Sequence, residues 1–372
     1  MPKTHLYITE PQTEKCVLIG VSSISQNRWQ VEENLEELAS LAKTAGAEVV
    51  RKIIQERNHF DSAYFIGRGK AEELSRYTTF DNIDLIIFDD ELSPAQIKNL
   101  EEITEIKVID RTALILDIFA AHARTREART QVELAQLNYY LPRLSRQWTH
   151  LSRQVGGIGT KGPGETQLET DRRIVRARIA HLKRDLDKIK SQSVTQRKKS
   201  KNLIKVALVG YTNAGKSTLM NALTNASIHV ADKLFATLDT TVRRLELAQD
   251  KTVLISDTVG FIRKLPHHLI ASFQTTLAQT IEADILLHIV DLSNHVYEDQ
   301  IKVVQGVLKD LKIDSKPTFL IMNKVDKIKN QEIIQRAKSK YSDAIFISAQ
   351  KRIRINKICE TILNFLGNTK LN

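Results

Sequence analysis

Nine consecutive residues, Gly210-Tyr211-Thr212-Asn213-Ala214-Gly215-Lys216-Ser217-Thr218, contain the spacing G-x-x-x-x-G-K-[ST]. The chemistry of that pattern is phosphate binding. Its glycines allow backbone N–H groups to wrap a β-phosphate, and the helix that follows directs its positive end at the anion. Lys216 would neutralise β- and γ-phosphate oxygens, and the Ser217 hydroxyl would hold Mg2+. The motif follows an apolar run at 206–209 and precedes a helical pattern at 218–223. This is the strand–loop–helix context the motif requires.

Three further motifs come in chain order. Asp257-Thr258-Val259-Gly260 closes the apolar run 253–256, where Asp257 can reach a Mg2+ shell and the Gly260 N–H a γ-phosphate. Asn323-Lys324-Val325-Asp326 closes the run 319–322. The Asp326 carboxylate is suited to accept from guanine N1–H and its 2-amino group. Adenine lacks that donor pair, so an unmatched carboxylate would reject ATP. Ser348-Ala349-Gln350 closes the run 345–347, with the Ala349 N–H placed to meet guanine O6. Four motifs, each at the C-terminal end of a strand, imply GTP binding and hydrolysis. Lys216 and the Gly260 N–H would then serve the reaction directly.

The region 225–244 must supply a threonine that senses the γ-phosphate and Mg2+. Thr237, Thr240 and Thr241 are candidates; spacing from Ser217 favours Thr237, within Phe235-Ala236-Thr237-Leu238-Asp239, without settling it. Where small GTPases of the Ras type place a water-orienting Gln, this chain has Phe261, which cannot hydrogen-bond water. Slow intrinsic hydrolysis awaiting a partner is the expectation. Asn213 could help hold K+ inside the loop, or simply stabilise the loop.

These motifs need a scaffold, and the patterning supplies an α/β fold in three parts. Over 1–120, short β-branched runs at 17–21, 49–54, 85–88 and 108–109 alternate with helical stretches at 31–45, 70–77 and 94–103. Ser93-Pro94 with Gln96 reads as a capped helix start. Over 121–200, apolar seams within helical stretches at 111–145 and 166–190 predict a helical hairpin with a Gly-rich loop and a solvated linker at 191–202. From 201 to 372 the strand–helix alternation of a P-loop GTP-binding (G) domain resumes.

Net charge is +11, yet residues 143–205 alone hold 17 Lys/Arg against 5 Asp/Glu. The remainder is close to neutral, so the basic excess marks a local site for a polyanion, most often nucleic acid. Within it, Arg143, Arg146, Trp148, His150 and Arg153 suit phosphate contact and base stacking, though Trp148 fits a core anchor equally. The loop at 156–164 has five glycines in nine residues, too many for a packed core. Two cysteines, Cys16 and Cys359, exclude a disulfide framework and point to a reducing cytoplasm. The first residues lack the apolar run of a signal peptide, and no apolar stretch approaches a membrane span. Gly67-Arg68-Gly69-Lys70 reads as a turn, and His267-His268 as surface residues rather than metal ligands.

The stretch GGIGTKGPGETQLETDRR at 156–173 resembles the signature of the HflX family of ribosome-associated GTPases. The resemblance extends through GRGKAEEL (67–74), LSPAQIKNLE (92–101), VIDRTALILDIFAAHART (108–125), QVELAQL (131–137), FATLD (235–239) and DTVGFI (257–262). It implies that Thr237 is the switch threonine and, with Ser217, a Mg2+ ligand. It also implies a switch that binds GTP/GDP and the large ribosomal subunit with its RNA, and splits or recycles ribosomes under stress; a monomer in the cytoplasm is the accompanying expectation. The alternative is a ribosome assembly or hibernation factor whose GTPase cycle only times its release. The chain departs from the family at Thr240, usually Pro, at Gln350, usually Lys, and at 351–355, KRIRI, usually a Gly-containing turn.

Overall fold

The computed structural model describes residues 13–23, 27–144, 167–197, 203–224, 234–235, 239–248, 251–264 and 274–369. It divides into two compact units, Met1–Ile118 with Gln136–Ala177 and Phe119–Ala135 with Arg178–Asn372. Residues 119–135, assigned by the sequence mainly to the middle segment, thus group with the nucleotide-binding unit.

The first unit holds four parallel strands: β1 (Lys15–Ser22), β2 (Glu48–Glu56), β3 (Leu85–Phe88) and β4 (Lys107–Asp110), in the order β2-β1-β3-β4. Parallel neighbours need crossovers, and helices Arg28–Ala45, Arg68–Phe80 and Pro94–Thr104 supply them. Val17, Ile19, Leu74, Phe88 and Leu100 form part of the core. The last of these helices starts as the sequence predicts. Ser93 accepts from the Gln96 N–H, Gln96 accepts in return from the Ser93 N–H, and Pro94 fills the first turn. Gly67-Arg68-Gly69-Lys70 departs from expectation by opening helix Arg68–Phe80, with Gly67 at φ 60 as its cap.

Two ion networks gather at the C-terminal ends of β3 and β4. Arg111 reaches Asp89 (2.7 Å) and Glu37. Arg143 reaches Asp110 (3.3 Å) and the Leu92 carbonyl (2.9 Å), and lies 3.5 Å from the centre of the Tyr139 ring. Tyr139 donates to Asp110 at 2.8 Å, and burial together with that carboxylate holds its hydroxyl far above its ordinary pKa. Arg143, expected among the phosphate-meeting cations, is therefore committed to the inside of this unit.

The continuous helix expected over 111–145 is two, Arg111–His122 and Arg126–Tyr140. Thr125 breaks it: its carbonyl accepts from Arg129 N–H (3.0 Å) and its hydroxyl from Ala128 N–H (3.1 Å), which starts a new helix. The second helix of the hairpin, Gln167–Arg197, takes in seven residues of the expected linker. Four of those seven residues, Ser191, Ser193, Val194 and Thr195, are weak helix formers, so intrinsic propensity does not account for the extension. Arg178 joins the two helices through both Glu133 carboxylate oxygens, at 2.7 and 2.9 Å.

The second unit has six strands in the order β10-β9-β8-β5-β7-β6. They are β5 (Lys205–Gly210), β6 (Thr241–Ala248), β7 (Lys251–Asp257), β8 (Ile285–Asp291), β9 (Thr318–Asn323) and β10 (Ile345–Phe346). All pairs are parallel except β6 with β7. Central strands buried on both faces read as unbroken apolar runs, and Val206, Leu208, Ile255, Leu287, Ile289 and Ile321 join one core.

The KRIRI turn closes on a bridge between Ser348 and Ile353. It holds Arg352 at φ 53 and Arg354 at φ 56, conformations that cost a residue with a Cβ. Arg352→Gly combined with Arg354→Gly is expected to stabilise the chain by about 1 kcal/mol, read as a higher urea midpoint at unchanged slope.

Candidate nucleotide-binding site

The site is built where β5 ends. Gly210 and Tyr211 lead into the loop, and helix Lys216–Thr224 follows it. Lys216 is buried and donates to the Tyr211 carbonyl (2.8 Å) and the Gly210 carbonyl (3.2 Å). Burial, countered by Asp257 and assisted by Lys324, brings its ammonium down to about 8. A second anionic group against it, such as a phosphate, would restore the charged form.

At the end of β7, Asp257 is fully buried and accepts from the Ser217 hydroxyl at 2.6 Å. A hydroxyl and a carboxylate are hard oxygen donors, a set that fits Mg2+. Thr258, beside Asp257, donates to the Leu208 carbonyl (2.6 Å) and fastens this strand end to β5. Gly260 must be glycine here. A Cβ on it would lie 2.6 Å from Thr212 Cα and 2.9 Å from Lys216 Nζ. Phe261 is buried and pairs with Tyr211, its N–H donating to the Gly210 carbonyl (3.1 Å) and its carbonyl accepting from Thr212 N–H (2.7 Å). It staples the two phosphate-side loops together and offers no polar side chain to water.

The base side is tied to the phosphate side through Asn323. Its amide donates to the Ala214 carbonyl (2.9 Å), and its carbonyl oxygen accepts from Ala349 N–H (2.9 Å). The Ala349 N–H, expected to face guanine O6, is thus engaged by Asn323. Gly215 stands at φ 95, where a Cβ would lie 2.3 Å from Asn323 Nδ2. Lys324, at φ 62, donates to the Asn213 carbonyl (2.8 Å) and pairs with Asp291 (2.8 Å). Asp326 lies half-buried in the single turn Val325–Lys327. Ser348 is buried and accepts from Lys351 N–H (3.1 Å), while Gln350 is exposed.

Phe235 and Asp239 of the switch are placed. Ala236, Thr237 and Leu238 lie outside the described residues, as do Arg146, Trp148, His150, Arg153, the glycine loop at 156–164 and His267-His268. Sequence reasoning placed Tyr211 in the phosphate loop without a role for its side chain, and missed His288. Tyr211 accepts from Arg263 N–H (2.9 Å) through its hydroxyl. His288, in register with Val209 on the neighbouring β8, is buried beside the site. An aromatic inside the phosphate loop and a histidine inside an apolar strand were the signals for them.

Among the described residues, no helix is long and apolar enough to cross a membrane, and no three or more His, Cys, Asp or Glu side chains gather as a metal cluster.

A sheet of this order, with a phosphate loop on β5 and its partner motifs at the ends of β7, β9 and β10, defines a P-loop GTPase. Family models match in chain order: a GTP-binding GTPase N-terminal region at 32–120, a GTP-binding GTPase middle region at 122–200, and a 50S ribosome-binding GTPase at 205–324. The GTPase HflX of Flavobacterium psychrophilum is 52% identical over 320 residues, covering 86% of this chain and 77% of that one. That of Escherichia coli is 45% identical, covering 90% and 79%. The fold is similar to the crystal structure of SsGBP with GDP, with a TM-score of 0.50 at 24% identity over 95% of this chain and 99% of that one. The chain belongs to the GTPase HflX family.

Burial and the nearby Lys216 charge lower the His288 pKa from 6.5 to about 4. The unfolded chain then takes up this proton first, so stability is full above pH 6.5 and falls between pH 6.5 and 4. The loss by pH 4 is on the order of 3 kcal/mol. His288→Leu is expected to flatten that part of the stability–pH curve, measured by chemical unfolding at stepped pH.

Proposed function

We propose that this chain is a GTP-hydrolysing molecular switch that binds the large ribosomal subunit in the cytoplasm, acts as a monomer, and splits or recycles ribosomes under stress. The observation that carries the nucleotide reading is the double hydrogen bond of Asn323. It sets the guanine-reading loops at a fixed distance from the phosphate loop, so base and phosphate are checked by one rigid frame. Asp326 is the residue that selects guanine.

Hydrolysis is in-line attack of water on the γ-phosphate, with the bond to the β-phosphate oxygen breaking to release GDP and phosphate. Lys216 and the loop amides offset charge on the transferring oxygens, and the Gly260 N–H meets the γ-phosphate. Ser217 and Thr237 would hold Mg2+ with Asp257 behind Ser217; the ion, when bound, neutralises β- and γ-oxygens. Asn213 is the residue that would help hold K+. Phe261 supports slow intrinsic turnover, since a buried phenyl leaves the attacking water unoriented until a partner supplies that function. The matched ribosome-binding GTPase model and the HflX relatives support the large subunit as the partner, and the basic segment 143–205 supports contact with its RNA.

The purified chain is expected to hydrolyse GTP slowly, ATP not measurably, and to speed up when large subunits are added. Asp326→Asn should shift preference from GTP to xanthosine triphosphate by about a hundredfold or more. Sucrose-gradient sedimentation with GTP should convert whole ribosomes into subunits. Rates indifferent to subunits would remove the ribosomal partner, and stimulated hydrolysis with intact ribosomes would favour an assembly or hibernation role.

A further inference from the structure

Segment 119–125, just ahead of helix Arg126–Tyr140, touches the switch at two points, and both contacts lie within the nucleotide-binding unit. The first is Asp239. Its carboxylate accepts from Arg124 N–H (3.0 Å), from Thr125 N–H (3.3 Å) and from the Thr125 hydroxyl (2.5 Å). Thr125 caps the helix at the same time, since its hydroxyl accepts from Ala128 N–H at 3.1 Å. The Asp239 carboxylate therefore sits at the positive end of a 15-residue helix, where negative charge is favoured.

The second point is Phe235. Its ring packs edge-on against Phe119, centroids 4.7 Å apart, with both side chains buried. Its N–H donates to the Thr212 hydroxyl of the phosphate loop at 2.9 Å. Its backbone stands at φ 55, which a phenylalanine adopts only where its surroundings hold it. Phe235 and Asp239 bracket Thr237 by two residues on each side. One short turn thus grips both ends of the stretch that carries the switch threonine, and one of those ends is also bonded to the phosphate loop.

We propose that Thr125 and Phe119 are positioning residues for GTP hydrolysis, acting in cis by clamping Asp239 and Phe235 so that Thr237 is presented to the nucleotide. The inference rests on the reading of Thr237 as the switch threonine. It goes beyond that reading in assigning the switch a support from outside the G-domain motifs. Because the same hydroxyl caps helix Arg126–Tyr140, the clamp also links the switch to the helix that Glu133 and Arg178 join to the rest of the hairpin. Occupancy by GTP and order at that helix start must then favour one another, since coupling between two sites is reciprocal.

The test is single-turnover GTP hydrolysis by the purified full-length chain, with GDP affinity and melting temperature measured in parallel. Thr125→Val removes the hydroxyl, Thr125→Ser restores it, and Asp239→Asn alters the switch side while leaving the helix cap intact. Thr125→Val and Asp239→Asn are each expected to lower the hydrolysis rate about tenfold, with GDP affinity within about twofold of the parent. The double variant should be no slower than the slower single, and Thr125→Ser should recover most of the rate. A cap that serves only helix stability would lower the melting temperature in Thr125→Val and leave Asp239→Asn at the parent rate. Parent rates in both singles, or faster hydrolysis in either, overturn the clamp while a dead Thr237→Ala keeps the switch reading. A Thr237→Ala variant as fast as the parent removes the switch reading, and the clamp with it.

Discussion

A loop that turns its amides toward phosphate must find donors for its own carbonyls, because buried backbone acceptors do not stay unpaired. Around that constraint the nucleotide-binding unit is organised. The carbonyls of Gly210 and Tyr211 accept from Lys216, that of Asn213 from Lys324, and that of Ala214 from Asn323. Each donor, Lys216, Asn323 or Lys324, belongs to one of the spaced sequence motifs, so the motif residues themselves hold the loop in shape. The same logic explains the crowding at Gly215 and Gly260, where donors and loop approach too closely for any side chain.

The other recurrent device is the buried charge paired with charges of its own unit. Asp110 draws Tyr139 and Arg143 to the end of β4, and Asp89 draws Arg111, whose other partner is Glu37. Removing one member of such a set leaves an uncompensated charge, which is more costly than exchanging the whole set for apolar groups. These networks sit where helix Arg111–His122 begins and where helix Arg126–Tyr140 ends, and they anchor the chain on either side of segment 119–135.

Most of the fold was legible in the sequence because its signals are local. Apolar runs marked the parallel strands, Ser93 with Gln96 marked a helix start, and four spaced motifs marked the strand ends that bind GTP. Where the reading failed, a local signal was outweighed or absent. The break at 123–125 depends on one threonine capping the next helix, which an apolar seam running past it does not reveal. The extension to Arg197 continues the preceding helix through residues with neither apolar periodicity nor strong helix propensity, so no local signal marks it. Arg143 was counted with the cations that meet nucleic acid because a one-dimensional charge count cannot tell an arginine in solvent from one lying on Tyr139.

The sequence by itself determined which residue types stand at the motif positions: a lysine and a hydroxyl in the phosphate loop, a carboxylate after β9, and a phenylalanine after Gly260. Those assignments follow from residue type and spacing, which the chain carries without folding. Only the tertiary structure decided which groups support one another. Asn323 engages the Ala349 N–H, and Asp239 and Phe235 lean on Thr125 and Phe119, contacts that span 26, 114 and 116 positions of chain. Pairings that distant arise from packing the sheet and its helices, and no local pattern encodes them.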